Sequence, residues 1–143
     1  MIRRDTRARI RHQRDLDRTW RQWVRRCDRP PVGTTCLLVW SDGRTTRRAV
    51  TFGDVVGPLD EEQEYCLARW LRDVLEDTDG WRVAFLMTRP GEEAIDERDL
   101  AWATSLYAAA RRAVVACEVV HLCVGREVRP LPLDALPAGA LDI

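Results

Sequence analysis

Residues 85–102, Phe85-Leu86-Met87-Thr88-Arg89-Pro90-Gly91-Glu92-Glu93-Ala94-Ile95-Asp96-Glu97-Arg98-Asp99-Leu100-Ala101-Trp102, read FLMTRPGEEAIDERDLAW. The stretch begins in the most apolar run of the chain, Trp81 to Met87, which predicts a central strand. Pro90-Gly91 then marks a sharp loop. Asp96 stands at the N-cap of a helical pattern formed by Leu100, Ala101, Ala103, Leu106, Tyr107 and Ala110, and Asp99 falls at the third helical position. Either carboxylate favours the positive end of the helix dipole. A buried strand, a loop and a capped helix in this order form a common setting for an active site.

On the N-terminal side of this junction lie a short apolar run, Thr35 to Trp40, and a second strand-like run, Thr45 to Phe52, joined through Ser41-Asp42-Gly43. An Asp-Gly pair between β-prone segments predicts a hairpin. Asp60 with Gln63 fits a capping box, and Cys66, Leu67, Trp70, Leu71, Val74 and Leu75 predict the buried face of the helix that follows. On the C-terminal side, Cys117 to Val124 reads as a strand, Glu127 to Leu131 as a short one, and the proline-rich tail as loop. A hairpin followed by strand and helix crossovers gives a mixed sheet covered by helices, hence an α/β fold.

The first segment repeats Leu16, Trp20, Trp23, Val24 and Cys27 on one helical stripe, with Arg14, Arg18, Arg21 and Arg25 on the far side. It predicts a basic amphipathic helix that ends near Pro30-Pro31. The tryptophans are expected to pack on the domain while the arginines face water. The functional alternative gives the arginines a nucleic acid or the tryptophans a partner protein. Trp20, Trp23 and the four arginines are therefore the candidate binding residues.

A length of 143 residues fits one domain, with 1–31 as a basic helical extension, 32–136 as the α/β domain and 137–143 as a tail. Hydrophobic content of 45% and charged content of 32% suit a soluble globular chain. No apolar run approaches the roughly 20 residues of a membrane span. The start, Met1-Ile2-Arg3-Arg4-Asp5, does not resemble a secretory signal, so a cytoplasmic location and no membrane partner are expected. Net charge is zero, yet residues 1–31 hold 11 arginines against 4 aspartates, a local charge of +7 that the remainder balances with −7. All 23 basic residues are arginine, a bias attributed to a GC-rich genome rather than to phosphate chemistry.

Cys27, Cys36, Cys66, Cys117 and Cys123 are odd in number, lack a C-x-x-C pair and sit mostly in apolar segments, which predicts reduced, buried thiols. Cys117, His121 and Cys123 would share one face of a strand, but their spacing matches no common zinc pattern, and burial is favoured over ligation. No P-loop, dinucleotide fingerprint, G-x-S-x-G elbow or H-E-x-x-H occurs. A Cys with His121 as nucleophile and base is disfavoured, because neighbours on one strand lack the orientation for proton transfer.

From Cys36 to about Leu136 the order of elements resembles JAB/MPN domains of the RadC type. The family's metal loop, approximately His-Asn-His-Pro-Ser-Gly with a following aspartate, is matched by Met87-Thr88-Arg89-Pro90-Gly91 and Asp99. Its Asp-His-aliphatic strand is matched by Val120-His121-Leu122-Cys123-Val124-Gly125. The resemblance implies a cytidine-deaminase-like, three-layer α/β/α sandwich with a mixed sheet. It also implies zinc held by two histidines and an aspartate, but Met87 and Arg89 replace the histidines and only Asp99 remains. Arginine offers no lone pair to a cation. No glutamate on the first hairpin stands out as the family's general base.

No metal, no cofactor and no catalytic residue are therefore expected, and the chain reads as a pseudoenzyme that acts by binding a protein or a second copy of itself. Nucleic-acid binding through the N-terminal helix and an enzyme of unrecognised type are the alternatives. An Arg89–Asp99 ion pair is favoured over an anion site at the loop, because Glu92, Glu93, Asp96 and Glu97 oppose an anion.

Overall fold

The computed structural model describes residues 4–46, 48–75 and 77–140, with residues 4–8 described by their backbone alone. Strands β1 (Arg4–Arg9), β2 (Gly33–Trp40), β3 (Arg44–Thr46), β4 (Val50–Phe52), β5 (Trp81–Arg89), β6 (Ala116–Cys117), β7 (His121–Val124) and β8 (Glu127–Pro130) form one mixed sheet. Its order is β1-β3-β2-β5-β7-β8, with β4 beside β2 and β6 beside β5. Three helices, α1 (Gln13–Arg26), α2 (Glu61–Val74) and α3 (Glu97–Ala113), complete the α/β architecture.

The run that opened the reading is indeed central: β5 pairs antiparallel with β2 over eight residue pairs and parallel with β6 and β7. Buried on both faces, it has no room for the polar alternation of an edge strand. Its odd positions, Val83, Phe85 and Met87, join Cys36, Leu38, Leu122 and the inner faces of α2 and α3 in one core. Its even positions, Ala84 and Leu86, join Leu37, Val39, Cys123 and the inner face of α1 in another. Strand alternation thus gives each face of the sheet its own apolar layer.

Asp60 caps α2 by accepting from the Gln63 amide at 2.7 Å, while Gln63 returns a bond to the Asp60 amide at 3.0 Å. Asp96 caps α3 in the same way, accepting from the Asp99 amide at 2.8 Å. The hairpin turn closes with Gly43 donating to Trp40 at 2.8 Å, and Gly43 takes φ +91°, a conformation that favours glycine. Gly33 starts β2 at φ +133°, and a Cβ there would lie 2.4 Å from the Phe52 carbonyl oxygen of β4. That close approach admits no side chain.

Three expectations are corrected. The 1–31 extension contributes an unexpected strand, β1, which pairs with β3, while Leu16, Trp20 and Val24 of α1 are buried against the sheet as expected. An amphipathic helix with a large apolar stripe gains most by covering an apolar sheet face, and α1 does so. The run from Thr45 to Phe52 divides into β3 and β4, both along β2. The run from Cys117 to Val124 likewise divides into β6 and β7, and Glu118 donates its amide to Val83 in the gap at 2.8 Å. Of the 137–143 tail, residues 141–143 lie outside the described residues; Ala140 is buried and accepts from Arg111 at 2.5 Å.

Candidate functional site

The loop after β5 and the first turn of α3 form a corner in which Met87, Arg89 and Asp99 share the α3 side of the sheet. Met87 is wholly buried in the core. Arg89, at the end of β5, turns its guanidinium toward the start of α3, where its Nε donates to Asp99 Oδ1 at 2.7 Å and Nη2 to Oδ2 at 2.8 Å. The remaining N–H groups donate to backbone carbonyls of the loop: Nη1 to Pro90 at 3.1 Å and Glu92 at 2.8 Å, and Nη2 to Ala94 at 3.0 Å. A guanidinium has five donors, and here five acceptors meet them.

Asp99 is 1% exposed and also accepts from the Asp96 amide at 3.0 Å. Burial alone would push its carboxyl upward, but the Arg89 fork and the Asp96 amide outweigh it and hold the group below the ordinary carboxylate range. The same fork raises Arg89. Charge-assisted, bidentate and largely shielded, this pair is costly to break by removing either partner. It also leaves Arg89 no free N–H for an anion. Zinc does not fit the residues present, because Met87 is committed to the core and Arg89 offers a positive charge in place of a lone pair.

The Cys117, His121 and Cys123 set is dispersed. Because the strand breaks between β6 and β7, Cys117 packs with the α3 side while His121 and Cys123 face α1, so the three do not share a face. Burial pushes the Cys117 thiol well up and raises Cys123, whose Sγ donates to the Gly125 carbonyl at 3.6 Å. Cys36 is raised by burial as well. Thiols held protonated in this way make poor nucleophiles. Cys66 corrects the expectation of burial: it is exposed, and the buried face of α2 consists of Leu67, Ala68 and Leu71. Among the described residues no group of three His, Cys, Asp or Glu side chains is arranged to hold a metal ion.

His121 has no exposed surface, and its Nδ1 faces the Val119 carbonyl at 3.0 Å. Nε2 makes a short contact with Oδ1 of Asp17 on α1. Each ring nitrogen thus faces an oxygen, one on its own strand's approach and one on α1. Sequence reading did not find Asp17, and no local signal marks it, since its partner lies 104 positions away.

Along α1 the two halves of the candidate binding set separate. Trp20 has no exposed surface and Trp23 is half-buried against the same layer, their rings 6.0 Å apart and edge-on. Trp20 therefore cannot stack on an external base or anchor a partner. Arg14, Arg18, Arg21 and Arg25 are all exposed, and among the described residues none of the four is in an ion pair. No described helix is long and apolar enough to cross a membrane. No family model, no curated protein and no solved structure matches this chain.

Proposed function

We propose that the chain is a noncatalytic protein of JAB/MPN type, a three-layer α/β/α sandwich that works by binding a protein partner or a second copy of itself through the exposed arginine face of α1. The observation that carries the reading is the saturated guanidinium of Arg89. At the position where the resembled family places a metal ligand, this chain has a cation whose five donors are spent on Asp99 and the loop carbonyls. A corner organised around an internal cation supports architecture and not hydrolysis. Elemental analysis of protein purified without chelator tests this: zinc well below one atom per chain is expected, and stoichiometric zinc overturns the reading.

Nucleic-acid binding is the second reading, favoured by the row Arg14, Arg18, Arg21 and Arg25, which faces solvent without carboxylate partners among the described residues. With Trp20 inside, base stacking does not contribute at that position, and the contact would be to phosphates. Titration with labelled DNA and RNA at two salt concentrations decides it. Binding that weakens steeply with salt supports this reading, and no binding at low salt removes it. A cytoplasmic location belongs to the same proposal.

A further inference from the structure

Between the end of β4 and the outer side of α2 lies a groove of about 260 Å³ lined by Phe52, Asp54, Val55, Glu62, Cys66 and Trp70, among others. Sites for drug-sized ligands run from roughly 300 to 1,000 Å³, so this one suits a single side chain better than a free organic molecule. Its lining includes an aromatic pair, Phe52 and Trp70, with ring centroids 5.0 Å apart and edge-on, both half-buried. Asp54 and Glu62 are exposed at its rim, and among the described residues neither is in an ion pair. Aromatic rings and two carboxylates lining one groove form a setting that a planar cation prefers, since a guanidinium stacks on a ring and donates to carboxylates.

We infer that this groove receives an arginine side chain from α1 of a second copy of the chain. The inference rests on the proposed binding role of the α1 arginines and names their counterpart. Charge complementarity supports that occupant: residues 1–31 carry +7 and the remainder −7, and Arg14, Arg18, Arg21 and Arg25 present that excess outward. The docking direction follows from α2 itself, whose first turn carries Glu61, Glu62 and Glu64 and whose last turn carries Arg72. The acidic first turn attracts a basic helix, so α1 of the second copy crosses near the N-terminal end of α2.

The two contact elements lie on opposite faces of the sheet, α1 over the Leu37 and Leu86 side and α2 over the Leu38 and Phe85 side. The contact is therefore head to tail, and each copy leaves one face open for the next. Light scattering coupled to size exclusion tests this with the full chain. At low salt the mass rises with concentration past two copies, and at high salt it returns to the 16.5 kDa monomer. Asp54→Arg with Glu62→Arg, and separately Arg18→Glu with Arg21→Glu, each weaken assembly by more than about tenfold, because like charges then face each other.

Mixing the two double variants restores assembly, since each acidic face then meets a basic one. Alkylation of the exposed Cys66 with a bulky maleimide blocks assembly, and assembly slows that alkylation. Assembly that survives the Asp54 and Glu62 reversal but is lost with the Arg18 and Arg21 reversal overturns the groove and leaves the arginine-face reading standing. Assembly that survives both reversals removes both. A wild-type chain monomeric at low salt, or a mass that stops at two copies, overturns the head-to-tail inference; the noncatalytic reading of the corner is tested separately by its zinc content.

Discussion

Arg89 and Asp99 lie ten positions apart and lock α3 to one face of the sheet, whereas His121 and Asp17 lie 104 apart and tie α1 to the other. The first pair is planar and bidentate, and five acceptors meet its five donors. The second is a single contact to a carboxylate whose side chain keeps 23% of its surface exposed. The difference shows what each device does. The parts of the corner, a strand end, a Pro-Gly loop and a capping box, are all local in sequence. The His121 contact joins the first helix to a late strand and is a contact of long sequence separation.

The sharpest way to break the comparison is Arg89→Ala. It strands a carboxylate of 1% exposure without its cation, and a loss of about 3–5 kcal/mol in urea unfolding is expected. Arg89→Lys keeps the charge but cannot reproduce the fork, and about 2 kcal/mol is expected. If the alanine variant costs less than about 1 kcal/mol, the corner is not a lock. On the other face, Asp17→Ala is expected to cost about 1–3 kcal/mol, because the imidazole it leaves is buried while the site itself is within reach of water. A cost equal to that of Arg89→Ala would erase the distinction drawn here.

Acid sharpens it further. Asp99 is held below its ordinary range in the folded state, so its contribution is fully present above the unfolded value near about pH 4 and disappears as pH falls through the folded value. The stability gap between the wild type and Asp99→Asn should therefore be constant above about pH 5 and narrow on acidification. A gap that widens toward acid would contradict the assignment. The smallest effect belongs to the outer face of α1: Arg18→Ala with Arg21→Ala should change stability by no more than about 0.5 kcal/mol, read by thermal melts, while weakening association.

Much of the corner was legible because its signals are local. Asp96 and Asp99 sit at capping positions, Pro90-Gly91 breaks the strand, and the two-residue spacing of Met87 and Arg89 places both on one strand face. What was not legible depends on distant pairing. The sequence Arg4-Asp5-Thr6-Arg7-Ala8-Arg9 has no apolar face, so its role as β1 rests on backbone pairing with β3 that periodicity does not record. Trp20 lies on a stripe whose favoured reading is packing on the domain, and the apolar sheet face opposite it supplies that core. Cys66 fell on the expected stripe but outside the observed one, because α2 is rotated to bury Ala68. Phe52 and Trp70 come from segments with no sequence signature of meeting, so the groove between them was also invisible.

The proposed kinship of the β5–α3 corner to a metal loop rests on Arg89 standing where such a loop would carry a ligand. Zinc titration of Met87→His with Arg89→His, checked for folding by circular dichroism, tests it most directly. Both new imidazoles would stand on the strand face that meets Asp99, so the account predicts one zinc per folded variant chain and none bound by the wild type. A folded variant that takes up no zinc, or a wild type that binds it stoichiometrically, would contradict the claim.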